Sequence, residues 1–195
     1  MATYNAIKYN VDYEGFGGSL MPLLSSTASG DGDVQFTSKI NSTYDSYVIL
    51  LNNIHPATDN STLGFNGSTD TGSNYNVAKT TTFFRTTQEE NDSGTTLSYQ
   101  SGKDLHQGTG DQQIAQSLGN DNDQSCSGFI QLFNPASTTF VKHFLIKMNE
   151  SHGGEISINS FIGGYFNTTS AIDAVRFKMG SGNLDAGTFQ LFGVH

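Results

Sequence analysis

The chain has 195 residues, a length that suits one domain with a sizeable core. Its 18 acidic residues outnumber 9 basic ones for a net charge of -9, and the basic residues are scattered singly, which argues against a phosphate-following stripe and direct nucleic-acid binding. Charged residues make up 14% of the chain, below the usual quarter or so, while Ser, Thr, Asn and Gly are abundant; this disfavours long exposed helices and predicts an all-β protein.

Residues 1–19 carry alternating fragments and then a glycine-rich break at residues 15–18, and they are expected to form an arm or edge strand outside the main domain. Tyr4, Tyr9, Tyr13 and Phe16 are its candidate contact residues. The domain proper is expected over residues 20–195. No basic region followed by an apolar run opens the chain, so no signal peptide is expected. The longest apolar run, residues 47–51, is too short to span a bilayer. Synthesis in a cytoplasm is therefore expected, with no membrane partner.

Residues 20–24 read as a short strand and residues 25–33 as a loop. Val34 and Phe36 open another strand. Residues 47–51 read as a central strand buried on both faces, ended by His55-Pro56. Leu63 and Phe65 alternate inward, residues 70–76 form a turn-rich loop, and residues 78–86 are strand-like. Residues 89–123 are long and polar, with strand pieces near residues 97–99 and 114–118. A loop region of that length is usually functional. Residues 128–133 and 139–148 are two strands joined by the turn Asn134-Pro135-Ala136-Ser137, with the second buried on both faces or bulged. Residues 160–166 are expected to pair forward. Residues 170–195 read as a closing hairpin with Val175, Phe177, Phe189 and Leu191 in the core. The result expected is an antiparallel, jelly-roll-like β-sandwich of about nine or ten strands.

Candidate chemistry is sparse. The single cysteine, Cys126, excludes an internal disulfide and reads as a small buried apolar residue. Asp121 and Asp123 are calcium candidates, because short acidic loops gather oxygen ligands, but the EF-hand spacing is absent and Asx-turns are the plainer reading. The five histidines are isolated, and His143 is expected to be a satisfied wall residue. Glu89 and Glu90 are adjacent, so on a strand they face opposite ways and cannot act as a paired acid and base. No catalytic set rises above background, no cofactor is expected, and the chain is read as non-enzymatic. Contact-loop candidates are Tyr75, Glu89, Glu90, Tyr99, Asp104 and His106.

Five blocks carry a family resemblance: STYDSYVILLNNIHPATDNSTLGFNGSTDTGSNYN, TTFFRT, SLGNDNDQSCSG, FNPASTTFVKHF and GGYFNTTSAIDAVRFKMGSGNLDAGTFQLFGV. Together they span residues 42–194, nearly four-fifths of the chain, and resemble virion structural proteins from tailed phages of marine bacteria. The resemblance implies a particle component present in many copies, with a jelly-roll-like sandwich and no catalytic residues. The first expectation is a capsid decoration (cement) protein on the particle surface, a homotrimer bound to the major capsid protein or other virion proteins. The second is a receptor-binding tail fibre or tip component that recognises host surface glycans through residues 89–123. A depolymerase is the third and least favoured.

Overall fold

The structure, a computed structural model, describes residues 20–194, so the arm candidates Tyr4, Tyr9, Tyr13 and Phe16 lie outside the described residues. Thirteen strands and no helix make up the described chain. They are β1 (Leu20–Ala28), β2 (Val34–Phe36), β3 (Ser46–Pro56), β4 (Ser61–Ser68), β5 (Lys79–Glu89), β6 (Thr95–Tyr99) and β7 (His106–Gly108). There follow β8 (Gln112–Leu118), β9 (Cys126–Phe133), β10 (Lys142–His152), β11 (Ile156–Phe166), β12 (Ala174–Met179) and β13 (Leu184–Val194).

Every pairing is antiparallel. The larger sheet runs β1-β13-β3-β9-β10-β11-β5, with β6 and β7 one after the other along the outer edge of β5. The smaller runs β8-β4-β12-β2. One residue pair, His152 with Leu118, joins them where β10 meets β8. The fold is thus an all-β sandwich, nearly closed along that seam.

Period-2 alternation sets the layers. On β10, Phe144, Ile146 and Met148 are buried while His143, Leu145 and Lys147 face out. Aromatic rings then lock the two sheets together. Phe65 of the smaller sheet meets Phe144 and Phe166 of the larger at 5.6 and 5.8 Å, and Phe177 meets Phe189 at 5.0 Å. All five rings are buried, and such offset and edge contacts add to the energy of area burial.

Several expectations need correction. The described residues hold thirteen strands rather than nine or ten; within residues 89–123 the expected strand pieces are β6 and β8, and β7 is added. β3 is central but buried on one face only, and it runs on through Pro56. Leu145 is an outward residue, and Phe140 lies before β10 and is exposed, so β10 is neither doubly buried nor bulged there. β11 pairs backward, with β10 and β5. The last two strands are not a hairpin. β12 pairs with β4 and β2, whereas β13 pairs with β1 and β3. The intervening loop bonds elsewhere: Gly180 N–H donates to Thr62 O, Ala57 N–H to Asn183 O, and Leu184 N–H to Asp31 O. With its polar groups satisfied by three other segments, the loop crosses from one sheet to the other. The predicted inward faces nonetheless hold, with Val175, Phe177, Phe189 and Leu191 buried.

Phe177 touches rings of both sheets, Phe65 beside it and Phe189 opposite. Phe177→Ala is expected to destabilise the domain by roughly 3–5 kcal/mol in denaturant unfolding. An unchanged midpoint would contradict the inter-sheet role of this ring.

Candidate functional site

The outer face of the larger sheet departs from the usual polar exterior of an antiparallel sheet. Register places one row of side chains across six strands: Leu50, Phe129, Lys147, Phe161, Phe84 and Tyr99. A neighbouring row holds Val48, Gln131, Leu145, Gly163 and Thr82. On the other side Asn149, Asn159, Thr86 and Leu97 continue it. Phe84 and Phe161 stack at 5.0 Å, 8° from parallel, and the Lys147 ammonium sits 5.4 Å from the Phe161 ring centre.

Five apolar side chains on this face remain open to solvent: Phe129 at 38%, Phe84 at 43%, Leu145 at 53%, Tyr99 at 54% and Leu97 at 72%. Between them lies a groove of ≈ 510 Å³ lined by Phe84, Phe129, Leu145 and Phe161, with Thr82 and Gly163 among its other walls. A Cβ at Gly163 would come into ordinary contact with Leu145 Cδ2, at 3.4 Å. The outward positions of β9, β10, β11 and β5 include no Asp or Glu, although the chain has 18 of them. Lys147 is the one Lys or Arg among those positions.

The predicted contact residues divide among separate places. Tyr99 belongs to this face, and its hydroxyl donates to Asp104 Oδ2 at 2.7 Å, which holds the phenol pKa above its ordinary value. His106 lies on β7 beside Thr80, at the same end of β5. Glu89 and Glu90 sit at the opposite end, around the β5–β6 turn, where Ser93 Oγ donates to the Glu89 carboxylate. Tyr75 is elsewhere, on the smaller sheet's side. Its hydroxyl donates to Gln35 Oε1 at 2.9 Å, and the Arg176 guanidinium lies 4.7 Å from its ring centre. Burial pushes the Tyr75 phenol up to about 12. Arg176 in turn pairs with Asp111 at 3.0 Å, Asn66 Nδ2 donates to the same carboxylate, and Lys79 Nζ donates to Asn66 Oδ1. Tyr75 is thus part of a polar lock on its loop.

Asp123 borders a second, polar cavity of ≈ 430 Å³ with Asn53, His55, Asn122, Gln124 and Asp185. The neighbouring Asp121 offers its backbone oxygen to His55 Nε2 at 3.2 Å, and His55 Nδ1 is 3.5 Å from Asp185. Among the described residues no three His, Cys, Asp or Glu side chains form a group able to hold a metal ion. His143 is exposed beside Tyr165 rather than set in a wall. Cys126 is buried as expected, and burial raises its thiol pKa well above the ordinary value.

Sequence reasoning missed the principal face residues Phe84, Phe129, Leu145 and Phe161. A signal was present: in Phe83-Phe84 and in Phe144-Leu145-Ile146 consecutive apolar residues on a strand cannot all face inward. Glu150 points into the seam between the sheets. Glu150 accepts hydrogen bonds from the Gln116 backbone N–H and the Ser160 hydroxyl. Because β8 and β10 share a single residue pair, the Gln116 N–H meets a carboxylate instead of a strand carbonyl. Burial dominates and pushes the Glu150 carboxyl up to about 7, opposed by those two hydrogen bonds and by Arg85.

No family model matches the chain, and no curated protein matches it.

The Glu150 shift fixes the sign of a pH effect. An acid whose folded pKa lies above its unfolded value stabilises the fold while protonated, and that contribution disappears as pH rises. Wild-type stability is expected to fall between pH 4.5 and about 7 by on the order of 3 kcal/mol from this group. Glu150→Gln should flatten that part of the curve in denaturant melts at stepped pH. An identical slope in the variant would refute the assignment.

Proposed function

We propose that the chain is a non-enzymatic structural protein of a bacteriophage particle, acting as a capsid decoration (cement) protein that binds the outside of the shell as an oligomer and stabilises it. The observation that carries this reading is the acid-free apolar face of the larger sheet. Its five exposed apolar side chains present about 500 Å² at 150–250 Å² each, in the upper range for the largest patch on a monomer. An open face of that size suits a broad protein contact better than a small substrate, which favours a deep enclosed pocket. The major capsid protein or a neighbouring virion protein is the intended partner. The resemblance of residues 42–194 to phage virion proteins supports the same reading.

A tail fibre or tip component binding host glycans is the second reading. The polar cavity around Asn53, His55, Asp123, Gln124 and Asp185 favours it, because amide, imidazole and carboxylate groups together match the alternating donors and acceptors of sugar hydroxyls. Copy number separates the two. Quantitative mass spectrometry of purified particles should give copies in the hundreds for a decoration protein, and a count in the low tens would place the chain on the tail.

Contact through the outer face has its own test. Leu145→Glu puts a carboxylate at the groove without disturbing the core, so the unfolding free energy should stay within about 0.5 kcal/mol of wild type. Its affinity for particles stripped of the protein should fall at least about tenfold, or roughly 1.4 kcal/mol. Undiminished binding would remove this face from the contact.

A further inference from the structure

Five strands have an edge without a continuous partner strand among the described residues. β8 is buried at the seam, where Leu118 meets His152 and Glu150 takes the Gln116 N–H, and three others are blunted. β1 carries Pro22 and a register shift beside it. β2 and β7 are three residues long, and Gln107 in β7 has a left-handed φ of 59°. These are the ordinary devices that stop sheets from joining. β6, with the sequence Thr95-Thr96-Leu97-Ser98-Tyr99, has none of them. It contains no proline, glycine or charge, four of its five residues are exposed, and Leu97 is the most exposed large hydrophobic residue described. Its five residues pair in unbroken register with β5, which leaves the opposite edge straight.

We propose that β6 pairs antiparallel with β6 of a second copy of this chain, joining two larger sheets into one continuous sheet. Leu97 is the middle residue of the strand, so a two-fold axis there sets Leu97 against its own copy and Tyr99 against Thr95. The apolar rows of the two outer faces then run together across the junction. Charge fits the same arrangement. Antiparallel pairing brings the Glu90 and Asp92 end of one copy beside Lys103 of the other, where Asp104 accepts a hydrogen bond from Tyr99 and keeps its charge. In a chain of net charge -9 most surfaces repel their own copies, whereas β6 is itself uncharged and sets Lys103 of each copy near the acidic end of the other. A five-residue ladder with this rim is smaller than a standard interface of about 1,200–2,000 Å², so a concentration-dependent dimer follows.

The test uses the full chain. Leu97→Cys places two thiols across the axis, at a spacing that a disulfide tolerates, while the native Cys126 is buried. Mild oxidation at about 0.1 mM should give a two-chain product on a non-reducing gel at least tenfold faster than for Phe140→Cys, an equally exposed site away from β6. Light scattering over rising concentration should show wild type moving towards the dimer mass and Leu97→Lys staying monomeric. Cross-linking no faster than in Phe140→Cys would overturn the proposal, as would β6 already covered by residues 1–19, recognised by a Leu97→Cys thiol protected from alkylation in the monomer. An oligomer of any size that survives Leu97→Lys would overturn it too, by placing self-association on another surface.

Discussion

Five phenylalanine rings hold this protein together. Phe144, Phe166 and Phe189 from the larger sheet meet Phe65 and Phe177 from the smaller, each within 6 Å of a partner across the interface. The backbone ladder that joins the sheets is a single residue pair. Side-chain packing therefore carries the association of the two layers, and a sandwich of this kind depends on inward rows that match in size. The polar seam follows from the same geometry. Where β10 parts from β9 and meets β8, ladder hydrogen bonds run out, and Glu150, Ser160, Gln116 and Arg85 fill the gap with side-chain bonds. A buried carboxylate at that point costs stability when ionised, yet it satisfies a backbone N–H that would otherwise be stranded.

Much of this was legible from residue order. Period 2 in Val175-Arg176-Phe177-Lys178-Met179 and in Phe189-Gln190-Leu191 gave the correct inward rows, because alternation depends only on the local backbone. The pairing of those strands was not legible. A Gly-Ser-Gly-Asn connection is compatible with a hairpin or a crossing, and the choice is made by distant partners, Thr62, Ala57 and Asp31. Residues 89–123 give a weaker signal: the pieces near 97–99 and 114–118 are β6 and β8, while β7 leaves no sign in the sequence. Their strands are poor in apolar residues: β6 and β7 are edge strands, while β8 buries Gln112 and Gln116 with side-chain partners. The buried Lys79 and Lys142 likewise give no local signal, since each is satisfied by carbonyl or amide oxygens that the fold supplies.

The candidate site was the least visible part. Tyr99 alone among the predicted contact residues lies in the apolar rows, because the list was drawn from loops and the site is a sheet face. Phe84, Phe129, Leu145 and Phe161 are far apart in the chain and become one surface only through the β9-β10-β11-β5 register. An exposed aromatic looks like a core residue until its neighbours across the ladder are known.

The central claim is that this protein works through that outer face. Hydroxyl-radical footprinting of intact particles against the free protein tests it directly, since phenylalanine and leucine side chains both report their exposure. The account predicts that Phe84, Phe129, Leu145 and Phe161 lose labelling several-fold on the particle while the exposed Phe140, away from the face, keeps it. Equal labelling of the four residues in both states would contradict it.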